Sequence, residues 1–214
     1  MTDISIDLEQ YILNHIDAES DILRKLNRQT HIKMLQPRML SGHLQGQLLK
    51  MICRMINPQN ILELGTFTGY SAISMAEGLT KPDAHIDTIE INDEIKPFLL
   101  DTFEEAGLSN TITLHIGKST EIIPTLDKTY DFIFMDADKR EYPLYYELLF
   151  EKLNPGGFIL ADNILWDGKV IEPLQPNDTY TKGILKFNKM VSEDKRVEKV
   201  ILPIRDGLFL IRKK

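Results

Sequence analysis

Between residues 61 and 162 the chain alternates short apolar runs with amphipathic stretches, and that rhythm leaves few folds open to it. Apolar runs at 61–64, 85–90, 111–116, 131–136 and 157–162 predict five strands. Apolar residues at helical spacing predict helices near 70–80, 95–106, 119–126 and 142–153. Pro97 fits the second of these only if that helix begins around Lys96, where a missing N–H costs nothing. Strands that alternate with helices pair in parallel and are covered on both faces. The expected fold is α/β: a doubly wound, mostly parallel sheet.

The flanks add to this frame. Residues 1–35 predict two short amphipathic helices, one presenting Leu8, Tyr11, Ile12 and Ile16, the other Ile22, Leu23 and Leu26. They are expected to cap the main fold or to form a partner surface. A third helix is expected over about 42–56, ended by Asn57-Pro58. Residues 163–178 form a long connection holding Trp166, Pro173 and Pro176, the length of a binding loop. A helix over about 179–191 follows. The terminal VEKVILPIRDGLFLIRKK reads as two antiparallel strands around Asp206-Gly207. The whole chain is expected to be one domain, with a helical cap at 1–38 and a core at 39–214.

Composition excludes some roles. A net charge of −7 argues against nonspecific nucleic-acid or anionic-membrane binding. The single cysteine, Cys53, permits no internal disulfide and sits in a helical apolar pattern, where buried filler is expected. No apolar run approaches membrane-spanning length, and no leader-like segment opens the chain, so the expectation is a cytoplasmic protein without membrane partners.

In open α/β sheets, ligands bind beyond the carboxyl ends of the strands. The stretch ILELGTFTGYS, residues 61–71, predicts a strand, a glycine turn and a helix start, a corner that offers backbone N–H groups to a small molecule. It supplies Glu63, Gly65, Thr66 and Ser71. The second strand ends at Glu90, 21 residues after Gly69, where a carboxylate can hold both hydroxyls of a ribose. The third is followed by Gly117 and Ser119, the fourth by Asp136, Asp138 and Lys139, the fifth by Asp162 and Asn163. No GxGxxG and no GxxxxGK[ST] is present, so the pattern suits a nucleoside ligand with little phosphate, such as S-adenosylmethionine. Asp136, Asp162 and Asn163 end two strands. If those strands are neighbours, the carboxylates repel unless a cation or a proton lies between them. Three oxygen ligands suit Mg²⁺ and also admit Mn²⁺ or Ca²⁺. The five histidines show no ligand spacing, and no GxSxG exists.

From about Met39 to its end the chain resembles the metal-dependent class I O-methyltransferases of the caffeoyl-CoA and catechol type. The motifs are LELGTFTGYS, TIEIN, DFIFMDADK, ADN and the late DG hairpin, with 26 residues from Asp136 to Asp162. The resemblance implies a Rossmann-like, seven-stranded sheet whose last strand is antiparallel. It implies that Glu63, Gly65, Thr66 and Ser71 surround the methionine part and nucleoside of S-adenosylmethionine, that Glu90 holds the ribose and that Ser119 lies against the adenine. Asp138 would meet the amino group, and Met39 and Ser41 would touch cofactor and acceptor. Asp136, Asp162 and Asn163 would be the metal ligands, with Asp136 also at the reacting centre, and Lys139 the catalytic lysine, as base or as electrostatic orienter. Trp166 and Asp167 would border the acceptor, a small aromatic diol of the catechol or caffeoyl type, and the family suggests a homodimer. Asp167 stands where plant members usually carry Asn, and residues 1–35 match nothing transferable, so the acceptor is left open. Arg28, Lys33 and Arg38 offer contacts to a CoA tail, although scattered basic residues are usually just solvated. Three other readings stand beside this one: methylation of a hydroxylated tRNA base, which the net negative charge disfavours; a nicotinamide oxidoreductase, which the missing GxGxxG disfavours; and a noncatalytic binding protein.

Overall fold

A computed structural model describes residues 5–214; of the expected cap, residues 1–4 lie outside that range. The chain runs α1 (Ile6–Asn14), α2 (Asp21–Lys33), α3 (Gly42–Ile56), β1 (Asn60–Leu64), α4 (Tyr70–Ala76), β2 (His85–Glu90), α5 (Lys96–Glu105) and β3 (Ile112–Ile116). It continues through α6 (Ser119–Ile122), β4 (Tyr130–Met135), α7 (Tyr142–Lys152), β5 (Leu153–Ala161), α8 (Thr179–Glu193), β6 (Val197–Leu202) and β7 (Leu208–Lys213).

The seven strands form one sheet in the order β3-β2-β1-β4-β5-β7-β6. The first five are parallel; β7 runs antiparallel to β5 and β6. Side chains alternate across the pleat. Leu62, Leu64, Ile133 and Met135 therefore pack on one face with α7 and α8, through Tyr142, Tyr146, Leu149 and Phe187. Ile61, Ile86, Phe132 and Phe134 pack on the other with α2 to α5, through Leu26, Leu49, Cys53 and Phe103. Both faces are apolar because both are covered.

Cys53 is buried, and burial pushes its thiol up to about 12, so it packs as a small apolar group. Of the two N-terminal helices, α2 buries Leu23 and Leu26, whereas Leu8 and Tyr11 of α1 remain exposed. Among the described residues no helix is long and apolar enough to cross a membrane.

Some boundaries differ from the sequence reading. Helix α4 stops at Ala76 rather than near 80, because Gly78 brings the chain against α3: a Cβ there would meet the Lys50 carbonyl oxygen at 2.5 Å. Helix α6 gives way to a 3-10 turn over Ile123–Thr125, where Pro124 has no N–H to continue the α ladder. Strand β5 begins at Leu153, four residues early, with a register shift before its pairing at Phe158. The hairpin joins Leu202 to Leu208 by five residues rather than a two-residue turn.

Candidate active site

The strand order reverses between β1 and β4, the place where such sheets leave a crevice. A cavity of about 990 Å³ opens there. Its floor is set by Gly65. At φ +93 this residue has a backbone that L side chains avoid, and a Cβ on it would lie 2.1 Å from the Asp136 carbonyl oxygen. The tips of β1 and β4 can touch only because that side chain is missing.

Met135 pairs with Ala161 across β4 and β5, so the next residues, Asp136 and Asp162, leave neighbouring strand tips together. Both line the cavity, with Asn163, Lys139, Trp166 and Asp167. Asp162 is buried; burial and the adjacent Asp136 charge raise its carboxyl to about 6. Lys139, also buried, donates to Asp136 Oδ1 at 2.6 Å and to the Tyr142 hydroxyl at 2.7 Å. The Tyr142 hydroxyl reaches the carbonyl oxygens of Met135 and Asp162, each at 3.0 Å, and so locks the lysine to both tips. Asn163 adopts φ +58, a left-handed conformation that Asn tolerates better than most residues.

On the other side of the switch point, Glu90 accepts from the Phe67 N–H at 2.8 Å and the Asn92 N–H at 2.9 Å, which fixes its carboxylate at the cavity edge. Ser119, Met39, Ser41 and Asp138 line the same cavity. Thr66 and Ser71 line a small side pocket shared with Gly65, Ser41 and Asp136. Asp138 accepts from the Arg140 main-chain N–H at 3.0 Å and its guanidinium Nε at 2.9 Å, contacts that hold its carboxyl below the usual range. Glu63 does not line the cavity. It is wholly buried beneath the glycine turn, with Oε2 accepting from Thr88 at 2.5 Å and Oε1 unpartnered. Burial raises its carboxyl to about 8, against the opposing pull of Ser71 and Thr88.

The side wall is aromatic. Trp166 stacks on Tyr180 at 6.0 Å, and the Arg140 guanidinium sits 4.9 Å from the same tyrosine ring. Trp166 is thus part of the cavity wall as well as half-buried packing. Of the basic residues considered for an anionic tail, Arg38 lines the cavity, whereas Lys33 lies over the Phe98 ring at 5.1 Å.

Four residues that the strand-tip reading missed shape this site: Gln45, Tyr142, Tyr180 and Arg205. Gln45 had a signal, a polar residue at helical spacing from the buried Leu49 and Ile52. Tyr142 follows Lys139 by three residues, but nothing in the sequence points its hydroxyl back at the tips.

The residues fit both absent groups. Two carboxylates and an amide oxygen are hard donors suited to a divalent cation, and the Asp136 charge raises the Asp162 carboxyl although the Lys139 ammonium already stands against Asp136. Among the described residues no three His, Cys, Asp or Glu side chains gather as a metal cluster. The bare Gly65 backbone and the oriented Glu90, both lining the cavity, form a cradle for a polar nucleoside, while the unpartnered Glu63 oxygen lies buried beneath it.

The model of the O-methyltransferase family matches residues 14–214. The chain belongs to that family. The methyltransferase is 37% identical over 183 residues to caffeoyl-CoA O-methyltransferase 2 of Populus trichocarpa, covering 79% of this chain and 72% of that one. It is 31% identical over 208 residues to a probable caffeoyl-CoA O-methyltransferase 2 of Dictyostelium discoideum, covering 95% and 90%. Among solved structures, the O-methyltransferase from Bacillus cereus in complex with SAH matches with a TM-score of 0.90 at 26% identity over 97% of both chains. TomG from Streptomyces achromogenes, in complex with SAM, matches with a TM-score of 0.90 at 28% identity, covering 97% and 96%. The protein is therefore an S-adenosylmethionine-dependent O-methyltransferase of the caffeoyl-CoA type, and neither the nicotinamide reading nor the noncatalytic one is retained.

Proposed function

We propose that this methyltransferase transfers the methyl group of S-adenosylmethionine to one hydroxyl of a small ortho-diphenol of the catechol or caffeoyl type, with a divalent cation, preferably Mg²⁺, held by Asp136, Asp162 and Asn163. The observation that carries this reading is the pair of register-matched strand tips that present two carboxylates to one cavity beside the glycine turn. A bound cation would chelate two neighbouring hydroxyls and acidify one of them.

The chain's own residues do the rest by position. The Gly65–Thr66 turn and Ser71, backed by the buried Glu63, receive the methionine part, Glu90 the ribose hydroxyls and Ser119 the adenine. Asp138 faces the amino group while sharing its charge with Arg140. Met39 and Ser41 border both ligands; Trp166 and Asp167 wall the acceptor. Lys139, held 2.6 Å from Asp136 Oδ1 and 2.7 Å from the Tyr142 hydroxyl, stands beside the reacting centre as base or as electrostatic orienter. The acceptor oxygen forms its bond to the methyl carbon as the carbon–sulfur bond breaks, the sulfonium becomes a neutral thioether, and the hydroxyl proton passes to solvent. Holding oxygen, carbon and sulfur in line is the main catalytic contribution of the scaffold.

A turnover panel of ortho-diphenols and their CoA esters, with Mg²⁺ and S-adenosylmethionine, tests the proposal. Methyl ethers are expected, lost in excess chelator and restored by Mg²⁺. Full activity in chelator overturns the metal assignment, and turnover confined to hydroxylated tRNA overturns the acceptor. The reading includes a homodimer, supported by Met51 and Met55, exposed one turn apart on α3. Sedimentation at the mass of a single 24.6 kDa chain overturns that part.

A further inference from the structure

The Asp162 carboxylate is held by one side chain of distant origin, which a second side chain holds in turn. Gln45, on α3 and wholly buried, donates from Nε2 to Asp162 Oδ2 at 2.6 Å. Its Oε1 accepts from Arg205 Nη1 at 3.1 Å. Arg205, in the β6–β7 loop, also donates through Nη1 to the Ser41 carbonyl and through Nη2 to the Leu40 carbonyl at 3.2 Å. The other Asp162 oxygen accepts the Asn163 N–H at 2.6 Å.

A carboxamide donates at one end and accepts at the other, and here each end faces the only kind of partner it can use. Turning the amide over would set its NH₂ against a guanidinium and its oxygen against a carboxylate. Its orientation is therefore fixed, and with it the orientation of Asp162. Stability alone does not explain a glutamine here. The position lies on the apolar face of α3 with Leu49 and Ile52, and a buried amide costs free energy unless both ends are bonded. An apolar side chain of similar volume would fill the space without that demand.

We propose that Gln45 and Arg205 are positioning residues: they hold the Asp162 carboxylate in the orientation that receives a divalent cation, and they tie it to the Leu40–Ser41 segment. This inference rests on the divalent-cation reading above. Partners that orient a ligating carboxylate typically contribute about 10–100-fold to metal affinity. Arg205 acts on Asp162 through Gln45, so the two contributions are not independent.

The test is Mn²⁺ binding, read from the electron paramagnetic resonance signal of free Mn²⁺, for the wild type, Gln45→Leu, Arg205→Gly and the double variant. Arg205 sits at φ +52, where glycine is at ease, so Arg205→Gly removes the guanidinium without straining the turn. Gln45→Leu is expected to weaken Mn²⁺ binding about 10-fold or more. Arg205→Gly is expected to weaken it by less, and the double variant to bind no more weakly than Gln45→Leu alone. The affinity of Gln45→Leu for S-adenosylhomocysteine is expected to stay at the wild-type value in calorimetry. Additive losses, or variants that bind Mn²⁺ like the wild type, overturn this inference and leave the cation reading standing. A wild type that binds no Mn²⁺ overturns both. If Gln45→Leu does not fold, Arg205→Gly decides alone: unchanged Mn²⁺ affinity refutes the inference.

Discussion

Glu63 shows how a single carboxylate can be costly to the fold and useful to the site. One of its oxygens has no partner, and burial lifts its carboxyl to about 8. In the unfolded chain it titrates near the ordinary glutamate value. Between those two values the folded state binds the extra proton, so this group's contribution falls as pH rises from about 5 to about 8. Asp162, raised to about 6, adds a slope of the same sign over the lower part of that window. Glu63→Gln is expected to flatten the pH dependence of unfolding free energy between about pH 5 and pH 8 by on the order of 3 kcal/mol, and to weaken S-adenosylmethionine binding. Denaturant titrations at several pH values check it; an unchanged slope sinks the idea. Asp136→Ala and Asp162→Ala are each expected to abolish turnover while S-adenosylmethionine still binds, as calorimetry and initial rates would report. These acids were legible in the sequence because each interrupts an apolar run at the point where a strand must end. Arg205 was not, because its role depends on a left-handed backbone that brings its guanidinium to carbonyls some 165 residues earlier in the chain.

At the level of elements, the catalytic turn is buttressed by a helix that follows it by forty residues. Helix α8 packs on the 3-10 turn Lys139–Glu141 through Gly183, where a Cβ would meet the Lys139 carbonyl oxygen at 2.3 Å and the Arg140 Cα at 2.8 Å. Those are backbone atoms and cannot swing aside. Alanine would gain about 1 kcal/mol in helix propensity, but the overlap outweighs it. Gly183→Ala is expected to destabilise the fold by about 1–3 kcal/mol and to lower kcat by shifting Lys139. Thermal unfolding with steady-state kinetics checks both; a raised Tm with unchanged kcat contradicts the account. The existence of α8 was readable from its periodicity. Its glycine contact was not, because a lone glycine in a helical pattern does not say which neighbour approaches it. Element ends were less legible still: Gly78 and Pro124 stop α4 and α6 for reasons of packing and missing donors.

For the molecule as a whole, the switch point divides the labour. The tips of β1, β2 and β3 supply most of the residues assigned to S-adenosylmethionine, and those of β4 and β5 supply the residues assigned to cation and acceptor, with Asp138 after β4 shared toward the cofactor. Glu90→Ala is therefore expected to weaken S-adenosylmethionine binding at least 10-fold, about 1.4 kcal/mol, while Mn²⁺ affinity is unchanged; Asp162→Ala is expected to do the reverse. Parallel titrations check the pair, and a variant that loses both ligands speaks against the division. The division itself could be inferred from the order of motifs, because parallel strands leave all their carboxyl ends on one side. The locking of the β4 and β5 tips to each other could not, since it runs through the Tyr142 hydroxyl. The loop after β5 has a further consequence. It is fastened to the hairpin by the main-chain N–H groups of Ile164, Leu165 and Asp167, which donate to Gly207 O, Asp206 O and Asp206 Oδ1. Fastened at 164, 165 and 167 by main-chain donors, the loop keeps its attachment to the hairpin through groups that every non-proline residue carries, while the left-handed backbone at 166 and 167 limits which side chains fit there. Evolution, or a protein engineer, can reshape this cavity wall, within that backbone limit, while the carboxylate pair stays where it is.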